Sequence, residues 1–163
     1  MYVLYAPLLI VAIAFTTYFL HGWRPISWLL AYFLGVNGVT FVAYIWDKII
    51  ACPSKSCLLN WMRLRVPNWV LFWLLGALGG TIGAGLGMAV GNHKTSSDYA
   101  KYRAGLGAIF VIQVITGIWL ALGDWPVVAA LDATIEWAVT AIVQFTSAVV
   151  TYVASAWFGA SWP

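Results

Sequence analysis

Charge is scarce in this chain. Eight Lys or Arg and five Asp or Glu make up 8% of 163 residues, against about 25% in an ordinary soluble domain. A soluble fold of this size leaves much of its surface exposed and has too little polar surface here to cover it. Cysteine is equally sparse. Cys52 and Cys57, in Cys52-Pro53-Ser54-Lys55-Ser56-Cys57, are too few for a disulfide scaffold. A metal finger would need two more ligands, and none is evident nearby, so two free thiols are the favoured reading and no metal site is expected. Enzyme constellations are missing as well: no paired carboxylates, no nucleophile elbow, no Gly-Lys-Ser/Thr phosphate loop. The glycines near residue 80 do not follow a strand, so they are not a dinucleotide fingerprint. The eight cations are scattered through short connections rather than gathered on one domain, which excludes a nucleic-acid footprint despite the net charge of +3.

What the chain has is apolar length: 63% of its residues are hydrophobic. A membrane-spanning helix needs roughly 20 apolar residues, and five runs qualify. They are Tyr2–Leu20, Ile26–Ile50, Asn68–Asn92, Ala104–Leu122 and a span within Glu136–Trp157. The expected fold is an all-α integral membrane bundle of four or five helices, one domain over residues 1–163. No positive region precedes Tyr2–Leu20, so that run reads as a retained helix rather than a cleaved signal. Trp23, Trp28, Trp46, Trp61, Trp69, Trp125 and Trp157 fall near segment ends, as in the aromatic belt of a bilayer protein. Ser96 or Ser97 is a candidate cap for the fourth segment, with Asp98 in its first turn.

The third segment sets the topology. If all five runs cross, Lys48, Lys55, Arg63 and Arg65 face Arg24, Lys94, Lys101 and Arg103 across the membrane, and the positive-inside rule gives no orientation. If the third segment enters and returns, Arg24 alone stands opposite the other seven, and both termini are cytoplasmic. Gly79-Gly80 in its middle permits such a break, which survives at membrane depth only when buried in protein or lining a wet cavity. The same segment also repeats small residues every four positions, Gly79-Gly83-Gly87 and Gly76-Gly80-Ala84, which suits a continuous helix packed closely on a neighbour. Both arrangements stand on the sequence alone.

Polar residues are few enough to single out. Asn37, Thr40, Phe41, Tyr44, Asp47, Lys48 and Ala51 lie on one face of the second segment. Asn37 is near mid-depth and Asp47 is at the basic interface, where Lys48, Arg65 or Lys94 could pair with it. Gln113 is the other deep amide. A buried amide needs a partner, so an Asn37–Gln113 bond joining two helices is expected. If the third segment returns, His93-Lys94 meets Asp47-Lys48 at one surface, and an Asp47–His93 pair there would titrate near neutral pH. The plainer reading is a cationic end to a helix. Asp132 and Glu136, one turn apart, read as a solvated outer face.

The string Asn37-Gly38-Val39-Thr40-Phe41-Val42-Ala43-Tyr44-Ile45-Trp46-Asp47-Lys48-Ile49-Ile50-Ala51 resembles the opening motif of a small bacterial membrane-protein family, domain of unknown function 1294. The family pattern continues with Arg-x-Pro, Gly-Gly-x-x-Gly-Ala and His-Lys-Thr. These correspond to Arg65-Val66-Pro67, Gly79-Gly80-Thr81-Ile82-Gly83-Ala84 and His93-Lys94-Thr95. The resemblance covers a core of Asn37–Arg103, with residues 1–36 and 104–163 as flanking helices. Where the family usually places an acid and then a histidine, this chain has Asn68 and Phe72. The resemblance implies a membrane core without assigning an activity or a cofactor.

Three functions follow, in order of preference. The first is a non-enzymatic packing, assembly or regulatory component, held by the lipid bilayer and by self-association or other membrane subunits through Gly76, Gly79, Gly80, Gly83, Gly87 and Gln113. The second is an oligomeric channel or transporter with a site at Asn37, Tyr44, Asp47, Lys48, His93 and Lys94. The third is a lipid-acting enzyme with His93 as base. The expected location is a bacterial inner membrane with the N-terminus in the cytoplasm.

Overall fold

The computed structural model describes residues 5–51, 70–92, 99–122 and 125–158. All the regular structure among them is helical: α1 (Tyr5–Trp23), α2 (Trp28–Ala51), α3 (Val70–Gly76, wound as a π-helix), α4 (Thr81–Gly91), α5 (Ala100–Leu122) and α6 (Trp125–Phe158). Four of them, α1, α2, α5 and α6, are long and apolar enough to cross a bilayer, and α4 is a shorter apolar helix. In hydrocarbon every backbone N–H and C=O must be satisfied within the protein, and the helix does this locally.

The α1–α2 corner is fixed by polar groups. Arg24-Pro25 ends α1, since the residue before a proline is pushed out of the helical region. Ser27 then caps α2 by accepting from the Leu30 N–H at 3.2 Å, so the helix begins at Trp28 rather than Ile26. Asp132, expected to be solvated, instead accepts from the Leu29 N–H at 2.7 Å. Its negative charge sits at the positive end of the α2 dipole. The His21 Nδ1–H donates to the Ile26 carbonyl at 2.7 Å, and the imidazole stacks on Trp28 with ring centroids 3.9 Å apart. Trp28 is therefore buried beside Ala14 and Val139 and is not a belt residue. Trp23 and Trp46 are exposed; Trp61 and Trp69 lie outside the described residues.

α6 starts at Trp125, well before Glu136. Pro126 falls in its first turn, where a missing N–H costs nothing. Its 34 residues reach roughly 51 Å at 1.5 Å per residue, more than a hydrocarbon core of about 30 Å. The early turns carrying Asp132 and Glu136 can thus stand at the interface. α5 begins at Ala100, earlier than Ala104; Ser96, Ser97 and Asp98 lie outside the described residues.

The third segment is broken. After α3 the chain turns at 78–80, with Gly79 at φ +108°, a conformation that only glycine adopts without strain. α4 then runs beside α2 in the same direction. Leu78 is bonded to Tyr32, Gly83 to Asn37, and Gly87 abuts Phe41 and Tyr44. At its end Asn92 takes the left-handed C-cap conformation, φ 42°. α4 therefore finishes at the end of the bundle where α2 finishes. α5 starts at that same end, its Tyr102 hydroxyl bonded to Tyr44. The third segment is thus a broken hairpin of the kind the re-entrant alternative requires, and four of the described helices are long and apolar enough to span.

Close packing of α4 on α2 depends on missing side chains. A methyl group added at Gly83 would overlap the Asn37 carbonyl, whereas one at Gly85 would meet nothing within 4 Å. Gly83→Ala is expected to destabilise the protein by about 2–3 kcal/mol through overpacking. Gly85→Ala should be neutral, or stabilising by up to about 1 kcal/mol through helix propensity. Unfolding titrations in mixed micelles compare the two. Topology is checked by single cysteines at positions 55, 96 and 124 in a background lacking Cys52 and Cys57. Impermeant thiol labelling of intact cells should place 55 and 96 on one side and 124 on the other.

Candidate functional site at the helix break

A break at mid-depth frees carbonyls and N–H groups that water cannot reach, and side chains from α2 and α5 take them up. The Asn37 amide, on an α2 turn facing α4, makes three bonds. Its Nδ2 donates to Phe33 O at 2.8 Å and to Gly79 O at 3.0 Å. Its Oδ1 accepts from the Gly83 N–H at 2.8 Å. From the opposite side, Gln113 Nε2 donates to Gly76 O at 2.7 Å, and its Oε1 accepts from the Thr81 hydroxyl at 2.6 Å. Tyr32 donates its hydroxyl to Leu78 O at 2.7 Å. The carbonyls of Gly76, Leu78 and Gly79 thus each receive a side-chain donor. The direct Asn37–Gln113 bond expected from sequence is not made, because the broken backbone between the two amides offers each a nearer partner.

The glycines divide the remaining work. Gly79 makes the turn. Gly80, Gly83 and Gly87 lie against Thr40, Asn37 and Tyr44 of α2, and Gly76 faces Leu106 and Ile109 of α5. Thr40, fully buried, bonds back to Val36 O at 2.6 Å, so its hydroxyl is satisfied within its own helix.

A second polar group lies one to two turns further along α2. Tyr44 and Asp47 are fully buried. Tyr44 shares a hydroxyl–hydroxyl bond with Tyr102 of α5, and the Asp47 carboxyl is close enough to act electrostatically on both phenols. Asp47 lies near the end of α2 and is buried within the protein there, and a buried carboxyl in a membrane protein requires polar company. Tyr102 brings that company from a position that sequence patterning had not marked: a phenol at the start of an apolar run looks like a belt residue. Lys48 is half-buried on the same helix end. His93, Lys94 and Arg65, the proposed neighbours of Asp47, lie outside the described residues. Among the described residues no three His, Cys, Asp or Glu side chains converge as metal ligands would.

Two cavities flank the hairpin tip. One, of about 220 Å³, lies between α1, α2, α3 and α6 and is lined by Ile10, Ile13, Leu74 and Leu78 among others. The other, of about 580 Å³, lies between α2, α5 and the start of α6, with Ala77, Leu78 and Gly79 in its lining.

Residues 37–99 match the family described as Protein of unknown function (DUF1294). The match ends at 99 rather than Arg103, and it contains the polar face of α2 together with the whole hairpin. No curated protein and no solved structure matches the chain.

Removing the Asn37 amide leaves Gly79 O and the Gly83 N–H without partners at membrane depth. Asn37→Leu should cost about 2–6 kcal/mol, given about 1–3 kcal/mol for each of the two unsatisfied buried groups. Tyr102→Phe, which removes one hydroxyl from a pair, should cost about 1 kcal/mol. Unfolding in mixed micelles measures both, and equal losses would contradict the clamp assignment.

Proposed function

We propose that this chain is a non-enzymatic membrane component that packs into or regulates a larger assembly, with both termini in the cytoplasm of a bacterial inner membrane. The observation that carries the reading is the closure of the hairpin on itself. Both Nδ2 hydrogens and the Oδ1 of Asn37 are engaged by backbone, and Gln113 is held by Gly76 and Thr81. The deep amides act as a clamp and are not presented to a cargo. The fit of α4 on α2 is too tight at Gly80 and Gly83 to admit even a methyl group, which argues against a path along that interface. The exposed apolar faces of α5 and α6, with Val111, Ile115, Trp119, Trp137 and Phe145 outward, leave ample area for lipid or for other subunits. With a re-entrant third segment, the sequence order would set seven of the eight cations on one side, which supports the orientation.

A channel or transporter-like role is the second reading. It is supported by the pairing of a buried carboxyl, Asp47, on one side of the hairpin with the 580 Å³ cavity on the other. Broken helices at mid-depth are a frequent setting for transport sites.

Purified protein reconstituted into vesicles separates the two. On the assembly reading, ion and proton leak stay at the level of empty vesicles, and Asp47→Asn changes stability alone. Cross-linking in native membranes then captures the chain in a complex larger than its 17.9 kDa. A flux abolished by Asp47→Asn in a protein that remains folded would replace the assembly reading with transport.

A further inference from the structure

The 580 Å³ cavity beside the hairpin is a feature that the clamp and the Asp47 cluster leave unused. Its lining runs along α2 from Ser27 to Phe33 and includes the hairpin tip, Ala77–Gly79. From Ser27 to Val36, the α2 residue beside Gly79, the helix rises roughly 14 Å, close to half of a hydrocarbon core about 30 Å thick. The cavity therefore has the depth of one leaflet. Its walls are mostly apolar, with Leu30, Phe33 and Ile112 prominent, and Ser27, whose hydroxyl caps α2, and Thr116 as hydroxyl-bearing exceptions. The polar groups beside the hairpin tip point elsewhere: Tyr32 donates to Leu78 O, and Gln113 is engaged by Gly76 O and Thr81. Water held there would find few partners, and apolar cavities stay dry. The outer side is open, because α5 packs on α3 and α4 while α6 packs on α1 and α2, with no substantial contact between the two.

From these observations we infer that the cavity is a binding site for one acyl chain of a bilayer phospholipid, drawn from the leaflet at the α2 N-terminal end. The methyl end of the chain rests against the hairpin tip. A lipid seated there completes the packing around Ala77–Gly79 that the protein leaves open, and so couples the hairpin to the bilayer. The inference is independent of the assembly reading, since it concerns what fills the bundle and not what surrounds it.

The test uses the full chain, reconstituted with a phosphatidylcholine that carries a diazirine at the end of one acyl chain. After irradiation, peptide mapping should find cross-links at Ala77–Gly79 as well as on the outward face of α6 near Phe145. Gly117 lines the cavity, and a side chain added there meets nothing within 4 Å. Gly117→Trp should fill the space and reduce hairpin-tip labelling to background while labelling near Phe145 persists, and Gly117→Leu should give an intermediate reduction. The retained Phe145 labelling and an unchanged thermal midpoint show that the variants fold. Absence of hairpin-tip cross-links in the unaltered protein, or cross-links that Gly117→Trp leaves intact, would overturn the assignment. So would rapid reaction of an Ala77→Cys variant, lacking Cys52 and Cys57, with an impermeant thiol reagent, because that outcome makes the cavity an aqueous vestibule.

Discussion

Everything in this molecule is arranged around a stretch of backbone that hydrocarbon will not tolerate by itself. A hairpin that breaks at Gly79 leaves the carbonyls of Leu78 and Gly79 without the partners a continuous helix would have given them, and that of Gly76 with only the Gly79 N–H of the turn. Each unmet group would cost several kcal/mol in lipid. The chain answers with Gln113, Tyr32 and Asn37, one side-chain donor for each carbonyl. These donors have fixed positions only if α2 and α5 are held at fixed distances from the hairpin. The clamp therefore dictates the placement of two spanning helices, and through α2 that of α1 and α6, which pack on it.

The glycines serve the same constraint from the other side. A hydrogen bond from Asn37 Oδ1 to the Gly83 N–H at 2.8 Å requires the two helix backbones to approach closely, and any side chain at Gly83 would occupy that space. Small residues at four-residue spacing are a general way of bringing membrane helices together. Here the approach has a further purpose, since it brings an amide within reach of main-chain groups on either side of the turn. Packing and hydrogen bonding are thus two aspects of one contact, and neither survives without the other.

This double use explains what could and could not be read from sequence. Four spans and the inward polar face of α2 were legible, because apolar length and helical periodicity are local properties. The glycine segment was ambiguous because a break and a packing stripe draw on the same residue, and the chain uses both: Gly79 turns, while Gly83 and Gly87 pack. The pairing of Asn37 with Gln113 was misjudged for a related reason. Sequence identifies side chains that need partners, but it does not show which backbone groups a turn will expose to them. Asp132 failed similarly. One turn from Glu136 it looks like part of a charged outer surface, and nothing local reveals that the first turn of α2, 103 residues earlier, lies within its reach. Trp28 followed the belt rule by position, but its ring packs on His21 because α1 ends and α2 begins within a few residues of each other.

The arrangement also bears on how the buried carboxyl is tolerated. Asp47 and Tyr44 lie on the same α2 face as Asn37, one helical turn apart. Tyr102, bonded to Tyr44, comes from the first turn of α5. α5 otherwise makes few contacts inside the chain, since Leu106 is its one buried apolar residue among those described. Its attachments inside the chain include polar contacts of Tyr102 at one end and Gln113 in the middle, and the packing of Leu106 and Ile109 against Gly76. Hydrogen bonds between membrane helices average only about 0.6 kcal/mol each, so polar contacts and the packing against Gly76 together place this helix.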